Sequence, residues 1–209
     1  TGVNTQRLQS LLAYLVLHRQ APQSRQQLAF LFWPDSNDQQ ARTNLRNALF
    51  QLRNQLPDAD QLLQVESQTL QWKADAPLSL DVADFEEALA IAQSAKEPAA
   101  VQNALQQAVT LYVGELLPGL YDEWILPLRE QLQNSYFSAL DQLTALYERQ
   151  QNFAKALETG QRLLQLDPLR ETSYAQLMRI YAAAGDRAAA LRIYHTCAKT
   201  LERELGVDP

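Results

Sequence analysis

The sequence predicts a mainly α-helical protein with one small β-hairpin, and three observations support this fold class. Apolar residues recur every three or four positions through most of the 209 residues, which is the spacing of one helix face. Alternation with a period of two is confined to two neighbouring runs, "LLQVES" and "TLQWKAD". The last third of the chain matches itself after a shift of 34 residues, a period typical of helical repeats.

Charge is distributed unevenly along the chain. The first 75 residues carry seven Lys and Arg against six Asp and Glu, whereas the remainder accounts for the formal net charge of −6. A slightly basic front part and an acidic rear part suggest two units with different partners.

The composition argues against a disulfide-stabilised protein and against a membrane-spanning one. A single cysteine excludes an internal disulfide framework and suits a reducing cytosol. The longest apolar run, "LLAYLVL", is far shorter than the roughly 20 residues that span a bilayer. We therefore expect a cytoplasmic protein with no membrane partner. The chain starts with Thr1 rather than methionine, so we also expect a fragment of a longer protein.

Three helices are predicted in the front part. The first covers residues 5–19, and Ser24 can cap a short second helix. Either Ser36 or Asp38 can cap the third helix, which ends where Pro57 cannot continue it.

The two alternating runs follow, with Ser67 and Gln68 at the tip between them. Three helices followed by a hairpin is the order of a winged helix-turn-helix, whose third helix enters the DNA major groove. The sequence thus predicts a winged helix-turn-helix domain over residues 1–76.

The third helix has no carboxylate between Gln39 and Leu56. On a helical wheel its apolar stripe consists of Ala41, Leu45, Ala48, Leu49, Leu52 and Leu56. The opposite face holds Gln40, Thr43, Asn47, Phe50 and Asn54, with Arg42, Arg46 and Arg53 on one flank and Asn44 and Gln51 on the other.

Asn and Gln side chains pair with adenine edges, and Arg pairs with guanine or phosphate, whereas a carboxylate would be repelled by phosphates. The alternative is an ordinary solvated helix in a glutamine-rich protein. Because three or four arginines supply few phosphate contacts, we expect a single copy to bind DNA weakly and a dimer to bind better.

The rear part contains two units of the repeat, residues 137–170 and 171–204. Matching pairs include Leu143 with Leu177, Tyr147 with Tyr181 and Ala156 with Ala190. This spacing predicts tetratricopeptide-like helix pairs, with Asn152 and Gly185–Asp186 at the turns between helices. The runs 79–93 and 99–117 are interpreted as two further helices that cap the stack, so the part is expected to be helical from Asp81 onward.

The first helices of the two repeats should line a groove. Its expected lining is Asp141, Ala145, Glu148, Arg149, Arg179, Ala182 and Ala183. The groove is hypothesised to bind a helix or peptide of a partner, and the alternative is that neighbouring helices of the same domain fill it.

No pattern indicates catalysis, a metal site or a cofactor. His18 and His195 lie far apart without ligand spacing, and Cys197 falls at a packing position of the second repeat. The six glycines are not clustered into a phosphate-binding loop. We therefore expect a protein that is not an enzyme.

Several stretches resemble a known family. "LLAYLVLHRQAPQSRQQLAFLFWPD" and "ARTNLRNALFQLRNQL" are similar to the OmpR-like winged helix of bacterial SARP-type transcriptional regulators. "LYVGELLPGLYDEWI" and "LERELGVDP" resemble the bacterial transcriptional activator domain that follows it, here residues 77–209. Family members begin with a small sheet, which is here missing or reduced to "TGVN".

The resemblance implies an activator that binds double-stranded promoter DNA and either dimerises or contacts RNA polymerase through its helical domain. It places Thr43, Asn44, Arg46, Asn47, Phe50, Gln51 and Asn54 in the DNA groove, Arg42 and Arg53 on phosphates, and Ser67, Gln68 and Lys73 in the wing. Larger relatives continue into a nucleotide-binding ATPase or sensor domain. The alternative function is an interaction or sensor module of a signalling ATPase that does not bind DNA.

Overall fold

A computed structural model describes residues 5–73 and 75–207, and they form a mainly helical protein, as predicted. The elements in chain order are α1 (Gln6–Leu17), β1 (Gln23–Ser24), α2 (Arg25–Phe32), α3 (Asp38–Gln55), α4 (Ala59–Leu62), β2 (Leu63–Val65), β3 (Thr69–Trp72), α5 (Asp81–Ser94), α6 (Pro98–Leu111), a 3₁₀ turn (Glu123–Ile125), α7 (Leu126–Arg149), α8 (Phe153–Leu166), α9 (Glu171–Ala183) and α10 (Arg187–Leu205).

The described residues divide into two compact units. The first runs up to Ser79 and also includes Leu116–Leu128, which we call the return segment. The second contains Leu80–Glu115 and the chain from Arg129 onward. The sequence predicts a single boundary after residue 76, whereas in the structure the return segment also belongs to the first unit.

The return segment is held in the first unit by polar and aromatic contacts with α1. The Asp122 carboxylate accepts a hydrogen bond from the buried Ser10 hydroxyl at 2.8 Å and forms an ion pair with Arg7 at 3.0 Å. The Trp124 indole N–H donates to the Ser10 hydroxyl, and its ring packs edge-on against Tyr14 with centroids 5.1 Å apart. Satisfied polar groups and aromatic packing together fix the segment.

Side-chain caps start the helices of the first unit. Ser24 caps α2 as predicted, by accepting a hydrogen bond from the Gln27 N–H. The predicted caps of α3, Ser36 and Asp38, were wrong. Asn37 caps this helix through a 2.9 Å bond from the Gln40 N–H. All three residue types are good N-caps, so local sequence did not decide between them.

The hairpin belongs to a three-stranded antiparallel sheet in the order β1-β3-β2. Strands β2 and β3 were predicted, but β1 and the short helix α4 were not. The sheet, α1, α2 and α3 enclose one core, and the predicted apolar stripe of α3 faces it. The buried core residues of α3 are Ala41, Leu45, Ala48, Leu49 and Leu52, and Leu56 packs against them half-buried.

The second unit consists of helices joined by short turns. Helices α5 and α6 pack through small and apolar residues, including Ala88 and Ala108. All elements described after Asp81 are helical, as predicted, but the predicted helical run 99–117 extends six residues past the end of α6. Helix α6 ends at Leu111, where the Tyr112 N–H donates the last helical bond to the Ala108 carbonyl.

The turns inside the two helix pairs of the repeat region lie where the turn residues predict. Asn152 caps α8, Asp186 caps α10, and Gly185 has a φ of +87° that favours glycine. Helix α7 begins at Leu126, well before the expected repeat start at Phe137.

Candidate nucleic-acid interface

The polar face of α3 is exposed, as the helical wheel predicts. Its exposed residues are Gln40, Arg42, Arg46, Asn47, Phe50, Gln51, Arg53 and Asn54. Phe50 is 67% exposed, which is unusual for a large aromatic residue and leaves its ring free to contact a partner. The described helix starts with one acid, Asp38, ahead of the carboxylate-free stretch.

Two of the predicted residues on this face are half-buried. The Thr43 hydroxyl donates to the Gln39 carbonyl at 2.9 Å, and the Asn44 amide oxygen accepts a 2.8 Å bond from Gln40. These contacts orient the N-terminal half of the face and use hydrogen-bonding groups that direct base contacts would require.

The three arginines of α3 have different surroundings. Arg42 forms a 2.8 Å ion pair with Asp38 one turn earlier, and Arg53 forms an ion pair with Asp60 of α4. Arg46 is exposed, and no carboxylate of the described chain pairs with it. Arg46 is therefore the α3 arginine whose guanidinium is available without breaking an ion pair.

The hairpin tip approaches the start of α2. The Arg25 backbone N–H donates to the Gln68 carbonyl, and its guanidinium donates to the Glu66 carbonyl, both at 2.9 Å. Ser67 and Gln68 are exposed at this tip. Arg25 was missed by sequence reasoning, although the Ser24 cap places it in the first turn of α2.

A carboxylate beside the tip was also missed. Glu66 accepts hydrogen bonds from the side chains of Gln64, at 2.6 Å, and Thr69, at 3.0 Å. These bonds, that from Gln64 above all, lower the pKa of Glu66 below its usual value. The hairpin tip therefore carries a stable negative charge next to the residues expected to contact DNA.

Lys73 does not lie at the tip of the hairpin. Its ammonium group donates to the main-chain carbonyl of Asp60 at 2.7 Å and is half-buried. Lys73 thus fixes α4 against the strand end, and a contact with DNA would require this bond to break.

An open cleft of about 700 Å³ lies between the C-terminal half of α3, the turn to α4 and strand β2. Its cations are Arg25, Arg46 and Arg53, and its acids are Asp58 and Asp60. Apolar surface from Phe50 and Val65 completes the lining. A cleft with this mixed charge and open shape suits an extended polar partner better than a small apolar ligand.

The groove predicted in the second unit has its charges paired across helices. Glu148 of α7 accepts two hydrogen bonds from Arg179 of α9, at 2.6 and 2.9 Å, and the Arg179 bonds lower the pKa of Glu148. Asp141 pairs with Arg170 at 3.4 Å. Arg149 is exposed, as are Ala182 and Ala183, whereas Ala145 is half-buried.

The described parts of the chain give little evidence for a metal site, a reactive cysteine or a membrane span. No group of three or more His, Cys, Asp or Glu residues there could hold a metal ion. Cys197 is buried, which raises the pKa of its thiol. Across residues 5–73 and 75–207, no helix combines the length and the apolar character needed to cross a membrane.

Comparison with known proteins identifies the family. The bacterial transcriptional activator domain matches residues 80–209, more than half of the chain. The chain therefore belongs to the bacterial transcriptional activator domain family, and the resemblance to SARP-type regulators is confirmed. The return segment lies inside the matched range, yet it packs in the first unit.

A solved structure shares the fold of the whole chain. It is Mycobacterium tuberculosis EmbR in complex with a low affinity phosphopeptide, with 20% sequence identity and a TM-score of 0.76. The similarity covers 100% of this chain and 57% of the EmbR chain, so this chain spans little more than half the length of that protein. No curated protein sequence matches the chain significantly.

Proposed function

We propose that the chain is the DNA-binding and activator part of a sequence-specific transcriptional regulator, acting on promoter DNA in the bacterial cytoplasm. The observation that carries this proposal is the exposed face of α3, which presents amides, an unpaired arginine and an aromatic ring without a carboxylate after Asp38. Membership in an activator family supports the same function.

In this proposal the first unit is a winged helix-turn-helix. Helices α2 and α3 form the helix-turn-helix and the β2–β3 hairpin forms the wing. The domain consists of residues 1–76 together with the return segment.

The exposed residues of α3 have distinct proposed roles. Arg46 contacts guanine, Asn47, Gln51 and Asn54 contact base edges, and Phe50 contacts thymine methyl groups. Arg42 and Arg53 contact phosphates after their ion pairs open, and Ser67 and Gln68 contact the backbone from the wing. Thr43 and Asn44 orient the start of the face.

The second unit is the part of the regulator that binds other proteins in this proposal. We propose that its tetratricopeptide-like helix pairs support a homodimer on repeated sites or contact RNA polymerase. The groove of Asp141, Glu148, Arg149 and Arg179 is the proposed docking surface, and Arg149 is its exposed cation.

A second candidate function is an interaction module without DNA binding. The observation that favours it is the negative charge of Asp58, Asp60 and Glu66 near the α3 face, which opposes phosphate binding.

Binding of a labelled random-sequence duplex separates the two functions. The test variant combines Arg46→Ala with Asn47→Ala, and the control combines Gln165→Ala with Lys199→Ala. Both variants remove one cation and one amide from exposed positions, but the control changes the second unit. We expect the test variant alone to lose binding. Equal binding by both variants would contradict the role of the α3 face, and no duplex binding by the folded, unchanged chain would favour the interaction module.

A further inference from the structure

The cleft beside α3 contains a carboxylate that is paired with one of its arginines. Asp60 lines the cleft and forms an ion pair with Arg53, the residue proposed to contact phosphate. The Asp60 side chain is 80% exposed and that of Arg53 is 47% exposed. An ion pair this exposed is weak and exchanges readily for another anion.

The main chain of Asp60 is held independently of its carboxylate. The Lys73 ammonium donates to the Asp60 carbonyl at 2.7 Å, and α4 joins directly onto strand β2. The backbone of Asp60 is therefore held in place whether or not its carboxylate is paired with Arg53.

Two further arginines line the same cleft, Arg46, which is proposed to contact guanine, and Arg25, which is available to a phosphate backbone. Arg46 has no ion-pair partner within the described chain, and Arg25 donates only to a main-chain carbonyl at the hairpin tip. With Arg53 these residues place three guanidinium groups around one open cleft of about 700 Å³.

We propose that a phosphate of duplex DNA enters this cleft and replaces Asp60 as the partner of Arg53, so that Asp60 acts as a built-in competitor that lowers affinity for non-specific DNA. This inference rests on the proposed function and adds a residue that controls it. After the exchange, the unpaired Asp60 carboxylate repels the phosphate and takes up a cation from solution. This uptake offsets the release of the cation that Arg53 displaces from the DNA phosphate, so the salt dependence of binding is reduced.

The test compares Asp60→Asn with the unchanged chain in binding a random-sequence duplex over a range of salt concentrations. Removing one charge close to a phosphate should raise affinity about fivefold at low salt. The slope of log affinity against log salt should steepen by about 0.9, the value for one further phosphate. Unfolding followed by tryptophan fluorescence should stay the same, because the Lys73 bond to the main chain remains.

Glu87→Gln is the matched control, since it removes one exposed carboxylate from α5 in the second unit. It should change affinity little. In an Arg53→Gln background, the gain from Asp60→Asn should fall to about half or less, because the two residues act as a pair.

Two results would overturn the inference while leaving DNA binding intact: equal effects of Asp60→Asn and Glu87→Gln, or weaker binding by Asp60→Asn. Absence of duplex binding by every chain would reject the proposed function and the inference together.

Discussion

At the level of a single residue, substitution of Phe50 should weaken duplex binding while leaving the stability of the fold nearly unchanged. Because most of its ring is exposed, Phe50→Ala should change the free energy of unfolding by less than about 0.5 kcal/mol. Loss of a base contact should weaken duplex binding by about 1 kcal/mol, or roughly fivefold. Fluorescence anisotropy and urea unfolding measure the two effects. A large loss of stability with unchanged binding would contradict the role given to Phe50.

Gly160 is required by packing in the second unit. A Cβ atom at this position would lie 2.8 Å from the Leu177 Cδ2 atom, and Leu177 is fully buried. Overpacking typically costs about 1–3 kcal/mol, and the better helix propensity of alanine returns about 1 kcal/mol. We expect Gly160→Ala to destabilise the chain by about 1 kcal/mol in urea unfolding followed by circular dichroism.

Gly114→Ala is the control for this packing effect, because nothing lies within 4 Å of its added Cβ atom. It should have little effect on unfolding. A stabilising effect of Gly160→Ala would show that Leu177 moves aside at no cost.

The Glu148–Arg179 pair should make the stability of the fold depend on pH, with stabilisation at neutral pH that is lost in acid. The Arg179 bonds lower the pKa of Glu148 in the folded state below its usual 4.5, so the stabilisation is complete above that value. It is lost as the pH falls through the folded-state pKa. Glu148→Gln should therefore reduce stability by at most about 1 kcal/mol at neutral pH and by less at about pH 3.5.

Urea midpoints at the two pH values measure this difference. Glu204→Gln, which removes an acid from an exposed pair with Arg203, should show almost none of it. A Glu148→Gln effect that grows in acid would have the wrong sign and would contradict the assignment.

At the level of elements, the return segment completes the first unit. The ring of Trp124 packs against Tyr14 and lies 6.4 Å from Phe32, centroid to centroid. Trp124→Ala should destabilise the first unit by about 2 kcal/mol, less than a fully buried tryptophan would cost because Trp124 is half-buried. The fluorescence of Trp33 and Trp72 reports this unit, since both residues belong to its core cluster.

Tyr121→Ala is the control in the same segment, because its side chain is 82% exposed. It should leave the fluorescence transition unchanged. If Trp124→Ala behaved like Tyr121→Ala, the return segment would contribute nothing to the stability of the first unit.

The elements that the sequence predicts are those long enough to show a period. Helix α3 has 18 residues, so its buried stripe and exposed face could be assigned from the wheel. Helix α4 has four residues and strand β1 has two, and neither length shows a period. Both depend on contacts with distant residues, such as the Lys73 bond to Asp60 and the pairing of Ser24 with Thr69.

The ion-pair partners of the α3 arginines also show that sequence periodicity predicts contacts within one helix but not contacts between elements. The Arg42–Asp38 pair follows from a spacing of four residues along one helix, so it could have been predicted. The Arg53–Asp60 pair depends on the turn before α4, where Asp58 adopts a left-handed φ of 51°. Sequence periodicity contains no information about such a turn, and the negative charge in the cleft was therefore missed.

At the level of the whole molecule, the two units divide the charge as the sequence predicts. The nearly balanced first unit presents the α3 face, while the acidic residues concentrate after residue 75. With the two phosphate contacts proposed for Arg42 and Arg53, and with cation uptake by Asp60 offsetting one of them, the slope of log affinity against log salt should be no steeper than about −2. A weak electrostatic contribution of this size fits a regulator that gains affinity from base contacts and from a second copy.

Selection from a randomised duplex pool shows whether the exposed face of α3 reads base sequence. The chain would be compared with Arg46→Ala combined with Asn47→Ala, at low and moderate salt. We predict that the unchanged chain enriches a defined motif and that the double variant does not. Binding without enrichment that disappears steeply with salt, or no binding by the folded chain, would contradict base readout by α3.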